Sequence, residues 1–108
     1  MQIMPQYAVI QSHPPDDCPM TNRAVREFMN KQFPKHPALA KRLGVKILLD
    51  IHLDPDHKAF TLFEAPNAES VRDFLVQGGF THYVNIEFHL VTPIQELMKQ
   101  AQEMPTIY

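Results

Sequence analysis

"GVKILLDIHLDPDHKAFTLFEA", residues 44–65, is the stretch that decides the fold. Two runs rich in aliphatic, β-branched and aromatic residues, 45–53 and 58–65, flank Asp54, Pro55, Asp56 and His57, a tetrad of turn-forming character. Together they predict a β-hairpin. If the turn is confined to the tetrad, Leu53 lies opposite Lys58, and counting back pairs His52 with Ala59, Asp50 with Thr61 and Leu48 with Phe63.

Working outward, residues 6–13, "QYAVIQSH", read as a first strand stopped by Pro14 and Pro15, which cannot continue a ladder. From Thr21 or Asn22, either able to cap, Val25, Phe28, Met29 and Phe33 fall on one helical stripe until Pro34 and Pro37 interrupt it. The helix restarts at Pro37 and ends at Gly44. Downstream of the hairpin, Asn67 caps a helix over 68–77 that Gly78 and Gly79 terminate, and residues 82–91, "HYVNIEFHLV", form a fourth strand. Thr92 and Gln95 make a capping box with Pro93 at the first helical position, and Ile94, Leu97, Met98 and Ala101 follow on one stripe, which adds a C-terminal helix over 92–103.

The order β-α-β-β-α-β is that of the ferredoxin-like α+β fold. Right-handed crossovers then give a four-stranded antiparallel sheet in the order 4-1-3-2 with the helices on one face. The 108 residues, 44% hydrophobic, suit one domain with its core over 6–91. Alternation in the hairpin predicts that Val45, Ile47, Leu49, Ile51, Phe60 and Leu62 lie beneath the helices, with Ala8, Ile10, Val84, Ile86 and Phe88 from the outer strands. The opposite face then carries Tyr7, Val9, Leu48 and Phe63 among Gln11, His13, Asp50, His52, Thr61, Tyr83, Asn85, Glu87 and His89. Such a mixed surface is expected to be covered by a second copy in a homodimer.

Ten Lys+Arg against twelve Asp+Glu give a formal charge of -2, without the basic patch of a nucleic-acid binder. No apolar run is long enough to span a bilayer and the first residues lack a signal-peptide pattern, so a cytoplasmic protein is expected. Cys18 is the one cysteine, which rules out an internal disulfide and leaves an inert side chain, a ligand or a reactive thiol.

The strand order determines which polar side chains can meet. The first two strands run the same way, so His13 and His52 lie at one end of the sheet, roughly 10 Å apart, while His89 is at the other. The proline-stiffened loop after His13 can fold Cys18 back over the same rim. His13, Cys18 and His52 are therefore the candidate metal ligands, with Gln11, Asp50 and Tyr83 behind them. Thiolate and imidazole together suit zinc, copper or nickel. His36 and His57 are expected to be solvated loop residues.

"GVKILLDIHLDPDHKAFTLFEAPNAESVRDFL" followed by "YVNIEFHLV", with a first strand ending in His13, resembles the small actinomycete nickel-binding proteins of ferredoxin-like fold, within the dimeric α+β barrel superfamily. The resemblance implies a metal-binding role for His13. This chain differs in having no histidine in the second helix and in carrying Cys18 in a longer first loop. The superfamily also implies an alternative, a cofactor-independent monooxygenase or isomerase acting on a small organic molecule. There His52 or His13 would be the base, and Tyr83, Asn85 and Gln11 would orient the substrate.

Overall fold

A computed structural model describes residues 4–108. Strand β1 (Gln6–Ser12) is followed by a short 3-10 turn and helices α1 (Arg23–Gln32) and α2 (His36–Leu43). The hairpin β2 (Lys46–Leu53) and β3 (Lys58–Glu64) leads into α3 (Ala68–Gln77), β4 (Asn85–Val91) and α4 (Ile94–Glu103). The sheet order is β2-β3-β1-β4, all neighbours antiparallel, as the ferredoxin-like reading requires. Asn22 and Asn67 cap α1 and α3 by accepting the amides of Val25 at 3.0 Å and Ser70 at 2.9 Å. Gly44 closes α2 in the left-handed region, φ 73.

The hairpin register holds from Leu53–Lys58 back to Asp50–Thr61, and Leu49 then pairs with Leu62. There a bulge at Leu48 intervenes, so that Ile47, not Leu48, faces Phe63. The bulge switches the side on which β2 presents alternate residues. Val45 and Ile47 keep the helix-side position expected of them, whereas Leu49 and Ile51 move to the other face and Asp50 and His52 take the helix side.

On the two central strands the expected facing is reversed. Tyr7, Val9, Thr61, Phe63 and Ala65 are buried, and they form the core with Val71, Phe74 and Leu75 of α3 and Leu39 of α2. Phe63 and Phe74 meet edge to face at 5.7 Å. Ala8, Ile10, Phe60 and Leu62 occupy the uncovered face. The physical reason is that β1 and β3 are apolar on both sides, so alternation identifies two faces without saying which one the helices cover. That choice is made where the chain leaves β3: Ala65, wholly buried, continues the parity of Thr61 and Phe63 into the α3 connection. On β4, Ile86 and Phe88 lie on the helix side as expected, opposite Gln11 and Val9.

The helix-free face consequently holds an apolar centre of Ile10, Leu49, Ile51, Phe60 and Leu62, with Glu87 and His89 paired at 2.7 Å on β4. Helix α4 projects from the end of β4 with every residue exposed. The radius of gyration is 16.7 Å, against about 13 Å for a compact chain of this length. No described helix is long and apolar enough to cross a membrane.

Candidate metal centre and the cleft beside it

The loop after β1 is stiffened before it carries any chemistry. Pro14 and Pro15 end the strand, and Asp17 N–H donates to the Pro14 carbonyl at 3.0 Å. The loop is then strapped to the start of α1. Cys18 carbonyl accepts the Asn22 amide at 2.7 Å, Asn22 Nδ2 donates to the Asp16 carbonyl at 2.9 Å, and Arg26 Nε donates to the Pro19 carbonyl at 2.8 Å. Cys18 is thus held, 8% exposed, over the end of β1.

Its neighbours there are two histidines. Ser12 pairs with Lys58 across β1 and β3, and one step further His13 N–H donates to the His57 carbonyl at 3.2 Å. The rings meet edge to face, 5.1 Å between centroids. One ligand atom each from His13, Cys18 and His57 lies within 4.8 Å of the other two. His13 Nδ1 is 2.9 Å from the Pro14 carbonyl. A carbonyl only accepts, so Nδ1 carries the proton and Nε2 keeps a lone pair, as a metal ligand needs.

His13 and Cys18 therefore meet as the sequence suggests, and the third member is His57 in place of His52. His52 turns its Nδ1 to the carboxylate of Asp54 at 2.6 Å. His57, expected to be a solvated turn residue, adopts φ 58, and its pairing with His13 sets it beside the cysteine. Extending the observed β1–β3 ladder by one residue pairs His13 with His57, a register between distant strands that the hairpin turn does not set. Counting only the hairpin ladder misses it.

The cluster forms one end of a cleft of about 470 Å³ between the sheet and the α1–α2 region. Gln11, Asp50 and Tyr83 all line it, as do Thr61, Phe63 and Phe74, whereas Asn85 sits opposite Ser12 at the edge of the helix-free face, outside the cleft. Thr61 Oγ1–H donates to Asp50 Oδ1 at 3.0 Å. Burial raises the Tyr83 phenol above its ordinary value of 10, so it remains a neutral hydrogen-bond donor at physiological pH. Gly79 shapes the turn that delivers Tyr83. Its φ is 86, and a Cβ there would meet the Phe28 ring at 2.8 Å. His36, also on the cleft wall, donates from Nε2 to the Gly78 carbonyl at 2.9 Å and stacks on Phe80.

No family model and no curated protein matches this sequence. Among solved structures, the de novo designed protein Ferredog-Diesel is similar at 15% identity and a TM-score of 0.49, over 82% of this chain and 87% of that one.

What the cluster can do follows from its donor set. One thiolate and two imidazoles are a soft, three-point set. About a tetrahedral zinc, such donors stand roughly 3.3–3.6 Å apart, so three atoms now within 4.8 Å of one another would close by at most about 1.5 Å.

Proposed function

We propose that this protein binds a soft transition-metal ion, nickel, copper or zinc, through His13, Cys18 and His57. The observation that carries the reading is the convergence of those three ligand atoms within 4.8 Å on a buried thiol and a stiffened loop. Preorganised ligands lose less entropy on binding. The resemblance to the nickel-binding proteins agrees in one residue, His13. Metal must displace the thiol proton, so affinity rises with pH until the ligands are deprotonated. The test is metal analysis of untagged protein, followed by titration with zinc, nickel and copper(I). Near-stoichiometric binding that Cys18→Ser weakens at least about tenfold supports the reading, and no binding by the wild type overturns it.

The protein acts, in this reading, as a homodimer. Ile10, Leu49, Ile51, Phe60 and Leu62 make an apolar centre on a sheet face that no helix among the described residues covers, and a second copy is the simplest cover. Light scattering at tens of micromolar tests this, and a monomer refutes it.

The cleft favours a second reading, binding of a small organic molecule. Gln11, Asp50 and Tyr83 supply a few polar groups among apolar walls, as in small-molecule sites. In an enzyme of the monooxygenase or isomerase type His13 would be the base and Tyr83 the hydrogen-bond donor. Metal-free wild-type protein that binds an organic ligand, with activity lost in His13→Ala and not restored by metal, favours this second reading.

A further inference from the structure

Among the described residues, the amphipathic helix α4 and an apolar groove elsewhere on the molecule are both left without partners. Ile94, Leu97 and Met98 are 67%, 49% and 55% exposed on one stripe of α4. The groove, about 300 Å³, runs between α3 and β4, with Ala68, Leu75, Val76, Ile86 and Phe88 on its walls and Glu69 and Arg72 on its rim. We propose that α4 of each chain docks in the α3–β4 groove of a second copy, antiparallel to α3.

Charge selects that direction. Glu69 and Arg72 are three residues apart on α3, as are Glu96 and Lys99 on α4, and in both pairs the acid comes first. Antiparallel docking sets Arg72 beside Glu96 and Glu69 beside Lys99. Parallel docking sets like charges together.

The chain's own α4 would have to dock in parallel. Glu64 and Val91 both pair with Gln6, so β3 and β4 end at the same end of the sheet, and α3 and α4 start from there. Folding α4 back over its own groove would run the two helices the same way and oppose Glu69 with Glu96.

The area suffices for a specific contact. A ten-residue helix is about 15 Å long, and burying half of its surface with the matching groove removes roughly 600 Å² from water. Two symmetry-related arms give about 1,200 Å², the lower bound of a standard interface.

This inference rests on the homodimer reading, and the experiment separates the two. In a Cys18→Ser background, Arg72→Cys is combined with Glu96→Cys and the full-length chain is oxidised with oxidised glutathione. A covalent dimer on a non-reducing gel is expected as the main product, with several-fold less from the parallel-register control Glu69→Cys with Glu96→Cys. An intrachain disulfide, or no cross-link while light scattering still reports a dimer, overturns the arm exchange and leaves the homodimer standing. A monomer in light scattering overturns both. Without cysteines, Arg72→Glu is expected to weaken dimerisation several-fold and Glu96→Arg to restore it; a double variant no better than Arg72→Glu alone removes the charge pairing from the proposal.

Discussion

Replacing His57 by alanine, beside the matched change at His52, puts the site geometry to its sharpest test. His57 is one of three converging ligands, and with it gone His13 and Cys18 alone hold the ion. Loss of an outer-shell partner already costs 10–100-fold in metal affinity, so loss of a ligand is expected to cost at least about 100-fold, or ~2.7 kcal/mol. His52 is different. Its ring is engaged with Asp54 and 61% exposed, so His52→Ala removes a surface polar contact worth about 0–1 kcal/mol of stability at most. Metal affinity should move less than about threefold, within the range left by one altered surface charge near the site. Competition against a chromophoric chelator measures zinc affinity, and in cobalt-loaded protein the thiolate-to-cobalt absorption reports whether Cys18 still binds. Circular dichroism checks that both variants are folded. Equal losses in the two variants, or a larger loss in His52→Ala, would refute the assignment of the third ligand.

The reversed facing of β3 has a thermodynamic signature. Phe63, 1% exposed, is expected to cost about 3–5 kcal/mol when changed to alanine, whereas Phe60→Ala on the helix-free face should cost clearly less in unfolding while weakening self-association; urea denaturation compared with light scattering separates the two. Tyr83 predicts a pH dependence. Its folded pKa is raised above the unfolded value of 10 by burial, so its contribution to stability is fully present below pH 10 and is lost as pH rises through the folded value. Ultraviolet titration should show a step above the ordinary tyrosine range that Tyr83→Phe removes.

The sequence by itself determined the order of elements and most of the hairpin register. These are local properties: the Asp54–His57 turn sets the pairing from Leu53–Lys58 to Asp50–Thr61, Asn22 and Asn67 start helices with their own side chains, and the prolines stop elements through backbone geometry. It also brought His13 and Cys18 to one rim, because both lie on a short, stiff piece of chain. Tertiary structure alone decided the rest. Which face of β1 and β3 lies under the helices depended on how α3 seats Phe74 on Phe63, since both faces are apolar and the pattern is equally consistent with either. The bulge at Leu48 shifted the start of β2 by one residue and kept Ile47 on the cleft side, while Asp50 kept its pairing with Thr61 and faces the cleft with it. His57 joined Cys18 because β1 pairs with β3, a contact between distant segments that places His13 and His57 side by side, while His52, equally near in sequence, points to Asp54 instead.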